Sequence, residues 1–410
     1  MFPPELAIHV CSFLDSQTDK QVLLNCALVD STWLSAAQPI IFRDLTLNLT
    51  SPRHEDHEYL SAQSIRAHEN LLEALDIHPH LASYIRHLRL KNLENESSRG
   101  GKVTSWVNES LSLARVLRRL TNVRSLILFR VGYPTILPTL QEAIRNLFQL
   151  GSITSLDISY ATFPSFSQFI GFISSPKLPT FISLSSLKFL EEGFSETPFT
   201  DGVTLTTPGS RPITRLHLSL IHIMPFISCF ASPHCPFDFT SLETLHLHAL
   251  RDIGHGSHSM MDLFRLVGNS LKHLELEMIL GNAIGFLDLL PSLKTLTLAI
   301  QQTVDYSPVP RITSLLTAST SPPTNIESIN LHFDVFELRA GFLPTFKAWR
   351  TLDSLFSDVS RFPALKTVTI HLPNDSALPL NVVEEQFQTL MADDRLKVVK
   401  GLMILKSLRM

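Results

Sequence analysis

The most regular feature of the sequence is a six-residue phrase in which the first, fourth and sixth residues are apolar. Residues 242–247, Leu-Glu-Thr-Leu-His-Leu, give one example. Nine further phrases begin at residues 85, 123, 153, 184, 213, 271, 293, 326 and 365, so successive phrases start 22 to 39 residues apart. A period of about 30 residues predicts one supersecondary unit per phrase, each stacked on its neighbours.

The end of each phrase predicts a strand. Polar residues alternate with Leu245 and Leu247 over residues 244–248, and a two-residue period is typical of a strand with one buried face. Stretches between the phrases have a helical period instead. Since strands and helices alternate, the sequence predicts an α/β fold with a mostly parallel sheet over about residues 45–375.

Three stretches show the helical period most clearly. They are residues 110–120, 138–150 and 260–271. In the second, Thr139 and Glu142 match a capping box, and the third is expected to stop near Gly268.

Residues 1–43 lack the phrase and predict a small helical module. Pro4 suits the first turn of a helix, and a polar break at residues 15–19 separates it from a second helix. A third helix is expected to begin near Ser31. One face of the first helix carries Leu6, Val10, Phe13 and Leu14. A module of this size has little core of its own.

Charge and composition narrow the class of protein. The net charge of −4 provides no basic field, so no nucleic-acid partner is expected. No apolar stretch approaches the roughly 20 residues of a membrane span, and the first ten residues carry Glu5 and no basic residue before their apolar stretch, unlike a secretory signal. Cys11 and Cys26 lie in apolar helical stretches, which favours reduced thiols and an intracellular, cytoplasmic or nuclear, location.

The C-terminal residues 395–409 are basic and amphipathic. They suit either contact with an acidic partner or membrane surface, or a terminal strand and helix with solvated lysines.

No catalytic constellation is present, so the chain is predicted not to be an enzyme. Residues 54–58, His-Glu-Asp-His-Glu, lack the spacing of a zinc-protease motif and are interpreted as solvated charge in a polar loop. Glycine-rich phosphate loops and nucleophile elbows are also missing. A looser metal-ligand set has a spacing that fits no zinc module: Cys229, His234, Cys235, His246 and His248. No metal and no cofactor are predicted.

The outward positions of three consecutive predicted strands form a polar patch. Either these side chains are polar because they face solvent, or they bind a protein target on rigid backbone. The candidate target-binding residues are Arg215, His217, His246, His248, His273, Glu275 and Glu277.

The phrase and its spacing resemble the leucine-rich repeat, in its longer and irregular class. The resemblance implies a solenoid with strands on its concave face and helices on its convex face, and surface loops are expected at residues 191–212 and 321–325. The family's Asn or Cys after the strand is replaced here by Leu93, Val131, Ala161, Ile221, Leu250 and Ile279.

The N-terminal module resembles the F-box. Phe2, Pro3, Glu5 and Leu6 match its start, and Val29 with Trp33 match its later Val-x-x-x-Trp segment. Residues 40–49 and 71–90 look like the F-box proteins abundant in mushroom-forming fungi. The resemblance implies a Skp-family linker as partner, bound through Phe2, Pro3, Pro4, Glu5, Leu6, Ile8, Val10, Leu14, Leu28, Val29 and Trp33.

Together the two resemblances imply a substrate-recognition adaptor of an SCF-type cullin-RING ubiquitin ligase, with residues 1–43 as the F-box and 44–410 as repeats with a C-terminal cap. The alternative is a repeat scaffold whose N-terminal helices cap the first strand. An exposed apolar patch that contains Leu6 and Val29 would favour docking, and full burial of the patch would favour a cap. A hydrolase within the long inserts is a third alternative.

Overall fold

A computed structural model describes residues 3–49, 57–94, 103–174, 179–191, 212–232, 235–250, 257–277, 285–301, 309–318, 325–334, 346–373 and 380–401. The chain forms two compact units, Met1–Arg211 and Pro212–Met410. Phe2, His234 and Ile279 lie outside the described residues, as do most of the predicted loops at 191–212 and 321–325.

The first unit begins with three helices and continues with strands that alternate with helices. Its elements are α1 Pro4–Ser12, α2 Lys20–Ala27, α3 Ser31–Ile41, β1 Asp44–Asn48, α4 His57–Ile77, α5 His80–Tyr84, β2 His87–Leu93, α6 Val103–Leu117, β3 Ser125–Gly132, a 3-10 turn at Tyr133–Thr135, α7 Pro138–Gln149, β4 Ser155–Phe163, α8 Phe166–Ile173, β5 Phe181–Ser185 and β6 Lys188–Phe189.

The second unit continues the alternation. Its elements are β7 Arg215–Ser219, α9 Met224–Ala231, β8 Thr244–His248, α10 Ser257–Val267, β9 His273–Glu277, a 3-10 turn at Phe286–Leu289, β10 Thr295–Gln301, α11 Val309–Thr317, β11 Ser328–Asp334, α12 Phe346–Ser357, β12 Thr367–Pro373, α13 Leu380–Glu384, α14 Gln388–Ala392 and β13 Leu396–Gly401.

The strands of each unit pair in parallel and follow chain order. In the first unit β1 to β5 are consecutive neighbours, and β6 lies beside β4. In the second unit β7 to β13 are consecutive neighbours. The predicted combination of a parallel sheet with intervening helices is therefore confirmed.

The register places the phrase leucines side by side. Leu245 lies opposite Leu216 on one neighbouring strand and Leu274 on the other, and all three side chains are buried. Removing a leucine side chain from water contributes about 1.5–3 kcal/mol. Each strand therefore shares its core with the next one, as stacked repeats require.

One phrase marks the wrong residues. The phrase at residue 184 predicts Leu187 and Phe189 as the inward pair, whereas the register pairs Ile182 of β5 with Leu156 of β4. Two apolar alternations overlap in this stretch, and the earlier one aligns with the neighbouring strand. The later alternation, which contains Leu187 and Phe189, includes the short strand β6.

The parallel sheets also extend beyond the ten phrases. Strand β1 fits the phrase pattern, starting from Phe42, although it is not among the ten. Strand β13 begins the basic C-terminal stretch, so the prediction of a terminal strand there is confirmed. Residues 402–410 lie outside the described part of the chain.

In six repeats a residue with positive φ lies in the later half of the strand or directly after it. None of these residues is glycine: they are Asn92, Arg130, Tyr160, Ser186, Leu220 and Ala249. The next residue is buried in every case, and these residues are Leu93, Val131, Ala161, Leu187, Ile221 and Leu250. The left-handed turn costs about 1–2 kcal/mol and directs an apolar side chain into the core. Of the six positions at which the repeat family carries Asn or Cys, the five that the structure describes are thus core positions here: Leu93, Val131, Ala161, Ile221 and Leu250.

The intervening helices largely follow the prediction. Helix α7 buries its apolar face, and α10 ends at Val267. A Cβ on the following Gly268 would lie 1.8 Å from the Leu289 carbonyl oxygen, so this close approach requires glycine. The predicted capping box at Thr139 is wrong. Helix α7 begins with Pro138 and has no side-chain cap, because proline supplies the helical φ and needs no hydrogen bond.

Helix α4 changes the interpretation of the polar stretch at residues 54–58. It begins at His57, so the last two residues of the stretch are helical rather than part of a loop. Within the residues that the structure describes, no helix combines the length and the apolar character that crossing a membrane would require.

Candidate functional site

The first three helices enclose a core made of small side chains. The buried residues are Ala7, Cys11, Leu23, Ala36 and Ala37. Packed against them and partly buried are Leu14, Cys26, Ala27, Trp33, Ile40 and Ile41. Small residues allow the helices to approach closely, and this leaves the larger apolar side chains of α1 for the opposite face.

Side-chain hydrogen bonds order the connection between α1 and α2 and cap α3. The Asp15 carboxylate accepts bonds from the backbone N–H groups of Gln17 (2.8 Å) and Thr18 (3.1 Å), and Asp19 accepts from the N–H of Asp15 (2.9 Å). These bonds order the predicted polar break. Asp30 caps α3 in the same way.

Polar contacts join the helices to the first strand. Ser16 donates to the Asp44 carboxylate, and Arg43 Nε donates to the same carboxylate at 3.1 Å. Arg43 also approaches Asp15, with 3.8 Å between nitrogen and oxygen. The module is therefore anchored on β1.

Large apolar side chains cover the outer surface of α1 and the α2–α3 connection. Leu28 is 84% exposed, Phe13 73% and Val29 66%. We define the apolar stripe as Leu6, Ile8, Val10, Phe13, Leu28 and Val29, all of which are exposed. Single exposed leucines are ordinary, but six exposed apolar residues within one small module indicate an interaction surface.

The predicted linker-binding residues divide into two groups. Five of them belong to the stripe and are exposed, namely Leu6, Ile8, Val10, Leu28 and Val29, and Pro3, Pro4 and Glu5 are exposed as well. Leu14 and Trp33 instead pack against the module's own core. Both are partly buried, since the buried face of α1 is defined by Ala7 and Cys11 and includes Leu14, and their role in linker binding stays a prediction.

The second candidate site lies on the polar face of β7, β8 and β9. The register places His217 beside His246 and His246 beside Glu275. Three distances describe the group. His246 Nδ1 lies 3.3 Å from Glu275 Oε2, His248 Nε2 lies 3.3 Å from Glu275 Oε1, and His248 Nδ1 lies 3.8 Å from Glu277 Oε2. We call His217, His246, His248, Glu275 and Glu277 the histidine–glutamate cluster.

Burial varies strongly among the predicted target-binding residues. Arg215 and His273 are exposed, and His217, His246 and Glu275 are half-buried. His248 is only 5% exposed and Glu277 only 9%.

The expectation that the whole patch faces solvent is therefore wrong for two of its members. His248 is covered by its neighbours in the cluster. Its ring lies 5.3 Å from that of His217, and carboxylates of β9 approach both of its nitrogens. A side chain of a partner protein therefore cannot reach His248 without displacing these groups.

The surroundings of His217 and His246 favour neutral rings, and those of Glu275 favour an ionised carboxylate. Burial, with smaller contributions from the nearby His248 and His246, lowers the pKa of His217 to about 4, while Glu275 opposes this change. Burial also lowers the pKa of His246, against the attraction of Glu275. For Glu275 burial alone would raise the pKa, but His248 and His246 outweigh it, and the pKa is about 2.

Two further histidines belong to the same face and were missed from the sequence. His332 of β11 and His371 of β12 stack with ring centroids 4.1 Å apart, and burial lowers the pKa of both. The register aligns these two strands directly. Each histidine directly follows the second apolar residue of its strand, as His248 does. This shared position in the phrase could have identified both histidines from the sequence.

The loose metal-ligand set suggested by the sequence separates in the structure. Cys229 is buried on α9 and its thiol is hydrogen-bonded to that of Cys235, which raises the pKa of Cys229. Among the described His, Cys, Asp and Glu residues, the one group with ligand atoms close enough to share a metal ion contains His246, His248 and Glu275.

No protein-family model matches the chain, and no curated protein matches it. The helical module and the polar strand face are thus the features from which a function is inferred.

Proposed function

We propose that the protein is a non-enzymatic adaptor that recruits a target protein to an SCF-type cullin-RING ubiquitin ligase. The N-terminal helices, which resemble the F-box, would bind a Skp-family linker. The observation that carries this proposal is the exposed apolar stripe of the helical module. Its exposure is the property that separates a docking surface from a cap.

The composition of the stripe suits a protein interface. Burying apolar surface contributes about 25 cal/mol per Å², and the six side chains lie on one small, hydrogen-bonded module. The bonds of Asp15, Asp19 and Asp30 order the module before binding. Less conformational entropy is then lost on association.

In this proposal the strand face binds the target, and catalysis belongs to the partner proteins. Holding a target near a loaded conjugating enzyme raises its effective concentration, which accelerates transfer of ubiquitin without any catalytic group on this chain. The outcome for the target is ubiquitin-dependent degradation. Arg215 and His273 are the exposed members of the predicted target-binding set, and they are the first residues that an incoming protein would contact.

A repeat scaffold outside any ligase is the second candidate. The contacts of Ser16 and Arg43 with Asp44 favour it, because they attach the helices to β1 as a cap would be attached. A cap, however, buries its large apolar side chains against the strands that it covers, whereas Leu28 and Val29 remain exposed.

Binding to a purified Skp-family linker tests the proposal. The informative variant is the double change Leu28→Asp and Val29→Asp, which adds two carboxylates to the stripe without touching the module's core. An unpaired carboxylate costs several kcal/mol when it is buried, so we expect linker affinity to fall by at least about 100-fold. Affinity is measured by biolayer interferometry with the full-length chain.

Val359→Asp is the matched control, because Val359 is also exposed (64%) but lies outside the helical module. It should bind the linker as the parent chain does, and circular dichroism should show both variants folded. Equal linker binding by the double variant and the parent, or no linker binding by the parent, would rule out docking through this stripe.

A further inference from the structure

We propose that His246, His248 and Glu275 bind a divalent transition-metal ion of the zinc type. The three residues lie on neighbouring strands, and their ligand atoms lie within 4.8 Å of one another. This inference does not depend on the proposed ligase function, because it rests on the strand face alone.

The spacing of the ligand atoms fits a metal ion. Ligands at about 2.0–2.2 Å from a tetrahedral zinc ion lie about 3.3–3.6 Å from each other. Glu275 holds one oxygen 3.3 Å from His246 Nδ1 and the other 3.3 Å from His248 Nε2. The two distances run to different oxygens, so either oxygen, as the one carboxylate ligand atom, lies one tetrahedron edge from one imidazole nitrogen, and the three ligand atoms lie within 4.8 Å of one another.

The donor set selects the class of ion. Two imidazole nitrogens and one carboxylate suit zinc and its neighbours in the first transition row, whereas magnesium and calcium prefer oxygen ligands alone.

The surroundings of His248 provide a second, independent indication of a bound ligand. Its side chain is buried, and Nδ1 has no hydrogen-bond partner among the residues that the structure describes. Nδ1 faces Glu277 Oε2 at 3.8 Å. When the Nε2 atom of a histidine binds a metal, its Nδ1–H commonly donates to a carboxylate, which orients the ring. A small closing movement of Glu277 toward Nδ1 would complete this arrangement.

Three protein ligands leave one position of a tetrahedral ion open for water or for a side chain from another protein. His246 and Glu275 are half-buried, so this position is accessible from the polar face. The ion would therefore reach solvent, although His248 does not.

Zinc titration of the full-length, untagged chain tests the site. The protein is first stripped with a chelator, and ZnCl₂ is then added in competition with a chromophoric zinc chelator at pH 7.5. We expect one zinc ion per chain at this site. His246→Gln and Glu275→Gln should each weaken it at least about 100-fold, and Glu277→Gln should weaken it about 10- to 100-fold by releasing His248. Substitution with Co²⁺ should give the visible absorption of a tetrahedral site in the parent chain and not in Glu275→Gln.

His371→Gln is the matched control, because His371 belongs to the same polar face but not to the group of three ligands. It should retain the parent's zinc affinity. The proposal is overturned if the stripped parent binds no zinc, or if Glu275→Gln, shown to be folded by circular dichroism, binds it as tightly as the parent. Equal losses in His371→Gln and His246→Gln would also overturn it, since they would indicate diffuse binding by surface histidines.

Discussion

The helical module and the histidine–glutamate cluster depart from the usual distribution of residues in opposite directions. The module leaves Leu28 and Val29 exposed while its core is built largely from alanine and cysteine. The cluster buries His248 and Glu277 on the polar side of a sheet. Exposed apolar patches and buried polar groups are the informative exceptions to the inside–outside rule.

The two exceptions indicate different requirements. An exposed apolar patch gains free energy when another surface covers it, so the module suits association with a protein. Buried polar groups are costly unless they are paired, so the cluster requires partners within reach, such as neighbouring rings, carboxylates or an ion. One region therefore indicates a macromolecular partner and the other a small one.

The largest expected effect compares one buried and one exposed leucine. Leu245→Ala should lower the free energy of unfolding by about 2–5 kcal/mol, because neighbouring strands share this core. Leu28→Ala should change it by no more than about 0.5 kcal/mol, since its side chain already contacts water. Urea denaturation followed by circular dichroism measures both. Similar losses in the two variants would mean that the stripe is covered in solution.

A smaller effect is expected from acid. The folded-state pKa of His217 is about 4, below the ordinary histidine value of 6.5, so the unfolded chain binds a proton more readily between these values. Stability is fully present above about pH 6.5 and falls as the pH falls toward 4. At about 1.4 kcal/mol per pKa unit the loss from His217 is at most about 3 kcal/mol. His332 acts in the same direction, and the lowered pKa of Glu275 adds a loss between pH 4.5 and 2.

Urea midpoints at pH 7.5, 6, 5 and 4 measure this dependence. The variant His217→Gln removes one titrating group and should show a shallower decline than the parent. If the parent is equally stable at pH 7.5 and 4, the histidines are not protected from protonation, and the cluster is ordinary solvated surface.

The smallest expected effect separates the cluster from exposed charges. Glu327 lies 2.6 Å from the Lys366 ammonium and 3.5 Å from that of Lys294, in pairs that are open to solvent. Glu327→Gln should leave the urea midpoint unchanged within error at physiological salt, because exposed pairs are screened. Glu275→Gln should lower it measurably in the metal-free chain. Equal changes of the urea midpoint in the two variants would show that burial does not increase the contribution of Glu275 to stability.

Much of the fold could be predicted from the sequence because the strand signal is repeated. Any single phrase is ambiguous between helix and strand, but ten phrases with an internal alternation and a period of about 30 residues agree on parallel strands. The phrase at residue 184, which marks the wrong inward residues, shows where this prediction from periodicity fails. The stretch around Ile182 and Leu187 offers two alternations, and pairing with Leu156 decides between them.

The site was partly predictable for the same reason. Phrases at 213, 242 and 271 place His217, His246 and Glu275 at equal offsets, and the structure pairs them as neighbours. Burial could not be predicted, since it depends on how the side chains cover one another. The outward face of α1 was also misjudged in part. Periodicity groups Leu14 with Leu6, whereas the core is defined by the less apolar Ala7 and Cys11.

Six repeats share a left-handed residue, which lies in the later half of the strand or directly after it, and its side chain differs from repeat to repeat. Those positions hold an amide, a guanidinium, a phenol, a hydroxyl and two aliphatic side chains, and all share the same sign of φ. Backbone conformation and the buried residue that follows, rather than the side chain itself, satisfy the structural requirement there. Each of these six repeats therefore carries one position at which chemical character can change over evolution while the core beneath it stays the same.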